Sequence, residues 1–229
     1  MSEKVPQHLG IIMDGNRRWA KMHGLPILEG HRRGYDKLKE VGEWCMERGV
    51  KVLTVFAFST ENWKRAASEV AYLMDLFYRA FTNEVEEFMR RNIRVRIIGD
   101  RAGLPENVGR AATALEERTR ENTRGTLQLA INYGGHTEIC DAVRALLGQH
   151  VAPAEITEEA IASRLYAPDT PPPDLIIRTS GEQRLSGFLT WQSAYSELYF
   201  IQKHWPDFTE ADLDAACAWY ADRDRRFGQ

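Results

Sequence analysis

Cysteine is scarce: Cys45, Cys140 and Cys217 are the only three in a chain of 229 residues, an odd and scattered set. That excludes a disulfide framework and a cysteine-built zinc site, and it fits buried thiols in a reducing compartment. Charge of one sign is lacking as well. The chain carries 30 basic and 33 acidic residues, a formal net charge of -3, which removes the electrostatic footprint of a nucleic-acid binder. No apolar run is long enough to cross a bilayer, and no signal-peptide pattern opens the chain. The expectation is a soluble, cytoplasmic protein; composition leaves contact with a membrane surface open. Proline is thin except in Pro168-Asp169-Thr170-Pro171-Pro172-Pro173, which is too stiff for helix or strand and reads as a linker. A Walker A loop is absent, which disfavours a nucleoside triphosphate, and no serine or cysteine carries a local triad signature.

What is present is alternation. Apolar runs at Leu9–Met13, Val52–Phe58, Ile93–Ile98, Thr126–Ile131, Asp174–Ile177 and Leu198–Ile201 read as strands, with helical periodicity between most of them. Near-continuous apolar strands separated by helices predict an α/β fold. The central sheet is mostly parallel, has about six strands and is covered by helices. The absence of repeats favours one domain over 1–229. Gly24 to Gly34 reads as a glycine-punctuated loop carrying His31, Arg32 and Arg33, with a helix from Tyr35 to Arg48. Glu69 to Arg91 reads as one long helix whose stripe Val70, Leu73, Phe77, Phe81, Val85 and Phe88 belongs in a core. Thr209 caps a last helix, with Asp212 in capping-box position.

Polar clusters follow the strand ends: Asp14-Gly15-Asn16-Arg17-Arg18, Ser59 to Arg65, Asn132 to Gly135, and Arg178 to Ser186. In an open α/β sheet the ligand sits outside the carboxyl ends of the strands, so these clusters are expected to converge. Arg18, Arg65, Arg178 and Arg184 are fork-shaped donors suited to diphosphate, and Asp14 suits a hard cation such as Mg²⁺. A glycine at the turn lets the backbone approach a ligand. The competing reading, an N-capping aspartate and solvated arginines, accounts for any one cluster more easily than for all of them.

The chain resembles the cis-prenyltransferases, the family typified by undecaprenyl diphosphate synthase. The resemblance rests on Met13-Asp14-Gly15-Asn16-Arg17-Arg18-Trp19-Ala20, Phe58-Ser59-Thr60-Glu61-Asn62-Trp63 and Arg178-Thr179-Ser180-Gly181-Glu182-Gln183-Arg184-Leu185-Ser186. Trp191-Gln192 with Glu197-Leu198, and Arg225-Arg226-Phe227-Gly228, extend it to nearly the whole chain. The resemblance implies a Mg²⁺-dependent homodimer that joins isoprenoid diphosphates. Asp14 would hold the metal, with Glu197 helping to place it. Gly15, Asn16, Arg17, Arg18 and Trp19, together with Arg65, would bind the allylic diphosphate. Arg178, Arg184 and Ser186 would bind isopentenyl diphosphate. Asn16, His31, Ser59, Glu61, Asn62 and Trp63 would line the reacting centre, and Arg226 and Gly228 would complete the partner subunit's site. The stripe from Val70 to Phe88 becomes a wall for the growing hydrocarbon.

The sequence departs from the family pattern at Ile27, where an arginine is usual, and at Ala66, His136 and Gly187. These changes lie near the expected substrates and put a long-chain product in doubt. A head-to-middle condensation of two dimethylallyl diphosphates, giving a branched or cyclic product of the lavandulyl or cyclolavandulyl type, is the alternative. A non-catalytic partner subunit is a further reading, against which the Asp14-Gly15-Asn16 motif counts.

Overall fold

The computed structural model describes residues 5–223. In chain order the elements are β1 (His8–Ile12), α1 (Asn16–Met22), α2 (Ile27–Glu47), β2 (Val52–Ser59), α3 (Ala67–Asn83), α4 (Val85–Arg90) and β3 (Ile93–Ile98). There follow α5 (Glu106–Thr119), β4 (Gly125–Tyr133), α6 (Gly135–Gly148), α7 (Glu158–Ala162), β5 (Leu175–Arg178), β6 (Glu197–Phe200) and α8 (Glu210–Ala221). The strands form one six-stranded sheet in the order β3-β4-β2-β1-β5-β6. Every neighbouring pair is parallel, as apolar runs joined by helical crossovers require. β1 lies between β2 and β5 and is buried along its whole length, which explains its unbroken apolar character.

The order of the strands reverses beside β1, so the ends of β1 and β5 open a crevice together. The neighbouring β2–β4 pairing carries two irregularities. The register between β2 and β4 shifts between Phe56 and Phe58, and again between Phe58 and Ser59, leaving Ala57 and Asn132 outside the pairing. Such bulges turn strand ends away from regular pairing and re-aim their side chains.

The core under the sheet joins Leu9, Ile11, Leu53 and Val55 to Leu73 and Phe81 of α3, Leu115 of α5 and Leu213 of α8. The stripe on α3 is therefore core, as its periodicity requires. Thr209 does begin α8, with its backbone N–H and hydroxyl donating to Asp212 Oδ2 at 2.7 and 2.6 Å.

Three sequence expectations need correction. The glycine-punctuated segment is not a loop, because α2 starts at Ile27 and carries His31, Arg32 and Arg33. Its glycines serve close approach instead of turning. A Cβ at Gly30 would lie 2.2 Å from the Asn16 carbonyl oxygen, and one at Gly34 would lie 2.5 Å from Asn16 Oδ1. The single helix expected over Glu69 to Arg91 is broken at Glu84. Thr82 donates back to the Tyr78 carbonyl at 2.9 Å, competing with the helical ladder, and Glu84 is drawn to Tyr35 and Lys39 of α2 at 3.0 and 3.2 Å. The proline segment is pinned to the sheet: the Pro171 carbonyl accepts from His8 Nδ1 at 2.6 Å, and Asp169 pairs with Arg96 at 2.6 Å.

Candidate active site

At the carboxyl ends of β1, β2 and β5 opens a cavity of about 1100 Å³. β1 delivers Asp14 and then turns sharply at Gly15, whose φ is +107°. No other residue fits that turn, since a Cβ there would lie 2.6 Å from Ser180 Oγ and 2.7 Å from His204 Nδ1. The turn is braced from behind. The Asp14 carbonyl accepts from Thr179 Oγ1 at 2.7 Å and from the Trp205 N–H at 3.0 Å.

The Asp14 carboxylate sits between two guanidinium groups. Oδ2 accepts from Arg178 Nη2 at 2.9 Å, and Oδ1 lies 3.1 Å from Arg18 Nη2. Burial works to raise the Asp14 pKa, but the hydrogen bond and charge of Arg178 and Arg18 prevail and hold it below the usual carboxylate range. Arg178 is itself buried; Nη1 donates to Ser186 Oγ at 2.9 Å and to the Arg184 carbonyl, while Nε is sealed in without a partner. Arg18 also reaches Glu182 at 3.2 Å.

Around this clasp the walls come from different elements. α1 supplies Asn16 and Arg17; α2 supplies His31; the turn after β2 supplies Ser59, Glu61, Asn62 and Arg65. The Ser59 N–H donates to Asn62 Oδ1 at 3.1 Å, which closes that turn and fixes both residues at the mouth. Ser186 and Gly187 complete the side next to Arg178, with His136 alongside. Three of the four departures from the family pattern lie at the cavity, since Ile27, His136 and Gly187 line it and Ala66 does not.

Four expected site residues lie elsewhere. Trp19 is buried against His23 and donates Nε1–H to Asp207 at 2.7 Å, so it anchors α1 to the segment before α8. Trp63 packs edge-on against Phe58 and donates to Asn132 Oδ1 at 2.7 Å, holding the bulge in place. Arg184 turns outward to Glu182 at 2.5 Å and gives the site its carbonyl. Glu197 opens β6 level with Leu175, at the end of the strand away from Arg178, and pairs with Arg223 at 3.3 Å. Three residues of strand separate it from the level of Arg178, about 10 Å. One chain does not bring Glu197 to Asp14, because order along the sequence does not say which strand end a residue occupies. Arg226 and Gly228 lie outside the described residues.

Sequence reasoning missed Glu69. It sits in the first turn of α3, just before the apolar stripe, yet it is only 5% exposed and touches three cavity residues. Its position four residues after Arg65 was the available signal.

A second cavity, of about 360 Å³, lies between α2, α3, α4 and the sheet. Leu38, Leu53, Phe81 and Leu129 line it, and its rim is charged. The two cavities share elements but no lining residue: His31 and Leu73 line the polar cavity, while Leu38 and Phe81 line the apolar one further along the same helices.

The Prenyltransf (undecaprenyl diphosphate synthase) family model matches residues 12–228. The isoprenyl transferase of Thermotoga maritima is 54% identical over 227 residues, which are 98% of this chain and 97% of that one. The (2E,6E)-farnesyl-diphosphate-specific ditrans,polycis-undecaprenyl-diphosphate synthase of Pseudomonas aeruginosa is 48% identical over 98% of this chain and 91% of its own. Among solved structures, lavandulyl diphosphate synthase from Lavandula x intermedia in complex with dimethylallyl diphosphate superposes with a TM-score of 0.93 at 37% identity, covering 98% of this chain and 99% of that one. An arginine-clasped carboxylate at the floor of a large cavity, in a chain this similar over nearly its full length, has one assignment: the protein belongs to the undecaprenyl diphosphate synthase family and is a prenyltransferase.

Proposed function

We propose that the protein joins an allylic diphosphate to isopentenyl diphosphate and lengthens the chain through cis double bonds. One observation carries this reading: a polar cavity equipped for diphosphate and an apolar cavity lie along the same two helices, α2 and α3, matching an ionic head and a hydrocarbon tail. Arg18, Arg65 and the first turn of α1 would hold the allylic diphosphate, and Arg178 with Ser186 the acceptor's. Arg178 Nε, buried without a partner, is a donor that an anion would satisfy.

Mg²⁺ suits this site. The described residues contain no group of three metal-ligating side chains. Mg²⁺ is commonly held by one or two carboxylates together with substrate phosphates. Asp14, partly exposed and facing the space where diphosphates would lie, offers that single carboxylate. A bound Mg²⁺ would neutralise the charge that develops on the departing diphosphate. The arginines would share in that neutralisation, and the buried walls would keep water from the allylic cation.

The protein would act as one domain in a homodimer in the cytoplasm. β6 supports the dimer, since it is an edge strand beside exposed Tyr195 and Leu198, a surface suited to a second copy. No helix among the described residues is long and apolar enough to cross a membrane.

Leu25 and Ile27 at the polar cavity favour a second reading, because they put apolar side chains where a second allylic substrate could lie. Product analysis with Mg²⁺ decides between them. A ladder of long chains from farnesyl and isopentenyl diphosphates is expected; a short branched or cyclic diphosphate from dimethylallyl diphosphate alone would overturn elongation.

A further inference from the structure

Glu69 stands behind the wall of the polar cavity. A carboxylate this deeply buried must be paired, and it is. Oε1 accepts from His31 Nε2 at 2.9 Å and from Arg65 Nη1 at 3.2 Å, and Oε2 lies 3.7 Å from Arg17 Nε. The three partners come from α2, from the turn before α3 and from α1, and all three line the cavity. Glu69 therefore joins three walls at one point without lining the cavity itself.

Its effect on His31 is the most specific. An ionised carboxylate only accepts, so Nε2 carries the hydrogen of that bond. Burial pushes the His31 imidazole below its usual pKa; Glu69 pulls the other way, while Arg65 and Arg17 add to the lowering. The ring is thus neutral near pH 7, and its lone pair is on Nδ1. Nδ1 makes no hydrogen bond among the described residues, yet it is not one of the sealed polar atoms without a partner, which are Asn16 Oδ1, Arg178 Nε and Gln192 Oε1. His31 lines the cavity, and Nδ1 is its ring nitrogen with no hydrogen bond among the described residues.

We propose that Glu69 is a positioning residue for prenyl transfer: it holds His31 as the Nε2–H tautomer, so that Nδ1 faces the reacting centre as proton acceptor. The inference rests on the prenyl-transfer reading above. In that reaction the allylic C–O bond breaks and its electron pair leaves on the diphosphate. The acceptor's double bond supplies the pair for the new C–C bond. A C–H bond beside the resulting cationic carbon then breaks, its pair forming the new double bond and its proton passing to Nδ1. The imidazolium so formed stays paired with the Glu69 carboxylate, which Arg17 and Arg65 also contact.

Histidine ¹⁵N NMR of the ligand-free protein reads the tautomer directly, with the His31 signals assigned by their loss in His31→Gln. Wild type is expected to show a protonated Nε2 and a bare Nδ1, and Glu69→Ala a mixture of tautomers. In single-turnover kinetics Glu69→Ala should lose about 100-fold in rate, the scale of a positioned acid–base group. Glu69→Gln keeps an acceptor oxygen but not the charge; it should recover part of that loss, with its acid limb moved to lower pH. A protonated Nδ1 in wild type would overturn the proposal. So would Glu69 variants that change only KM or the thermal midpoint while the single-turnover rate and its acid limb stay put. Prenyl transfer indifferent to Glu69 removes this proposal alone, whereas a wild type that transfers no prenyl group removes the reading beneath it.

Discussion

At the amino ends of the strands His8 is buried with both ring nitrogens engaged: Nδ1 with the Pro171 carbonyl at 2.6 Å and Nε2 with the Thr54 hydroxyl at 2.7 Å. The chain of polar groups continues through Gln128 to Thr170 at 2.5 Å and ends on the pinned proline segment. At the carboxyl ends His31 is buried to a similar degree, but only Nε2 is engaged. The neighbouring Arg178 Nε and Asn16 Oδ1 are sealed in without partners. Burial does not separate the two ends; completeness does. A closed polar network stabilises a fold, whereas donors and acceptors left waiting mark the place where a ligand completes them.

The comparison breaks most sharply at Asp14. Asp14→Asn keeps an acceptor between Arg178 and Arg18 but removes the charge. Steady-state turnover should fall about 10³-fold or more, the loss of several kcal/mol of transition-state stabilisation, with little change in thermal midpoint. Retained turnover would make Asp14 a structural clasp like the one at His8. Arg178→Lys is the next largest. It trades a fork for a point charge, and KM for isopentenyl diphosphate should rise about 10- to 100-fold, the worth of one charge-assisted hydrogen bond. At the closed end the effect should change in kind. His8→Leu leaves the Pro171 carbonyl without its side-chain partner and the Thr54 hydroxyl with Gln128 alone, so urea unfolding should show a loss of about 1–3 kcal/mol, with the turnover of folded enzyme unchanged. A change in turnover there would mean that the two ends are coupled.

The sequence conveys these ends unequally, for physical reasons. Strands buried on both faces appear as near-continuous apolar runs, so β1, β2, β4 and β5 and the clusters at their tips could be read directly, while the alternation of β3 marks an edge strand. Capping chemistry is local, and Thr209 with Asp212 was readable for that reason. Gly30 and Gly34 misled, because a glycine required by a crossing helix and one required by a turn are the same letter, and only the position of Asn16 tells them apart. Glu84 broke a good helical period through bonds to Tyr35 and Lys39, partners 49 and 45 residues away. Glu69 and Glu197 show two ways in which chain order hides position. Burial made a surface-looking acid into a hub, and strand direction carried a motif acid away from the metal position expected for it.

The smallest predicted effect tests the closed end by pH. Burial lowers the His8 pKa below that of a free imidazole, opposed by the bond to the Pro171 carbonyl and the charge of Asp174. The unfolded chain therefore binds the His8 proton at a higher pH than the folded one. Stability from this residue is complete above about pH 6.5 and declines as the pH falls toward the folded value, by at most about 1.4 kcal/mol per pH unit. His31 is lowered too and contributes with the same sign. Urea midpoints measured from pH 7.5 to 5.5 should fall in wild type, and the fall should be shallower in His8→Gln and in His31→Gln. The geometry at His8 makes the sign informative. Thr54 Oγ1 lies 2.7 Å from His8 Nε2 and 3.1 Å from Gln128 Oε1, so its one proton can serve either. With a neutral ring the hydroxyl donates to Nε2. With a charged ring Nε2 donates to Thr54, and the hydroxyl is free to bond Gln128. A His8 contribution that grows on acidification would mean that the second arrangement prevails and that this end, too, holds a proton it can release.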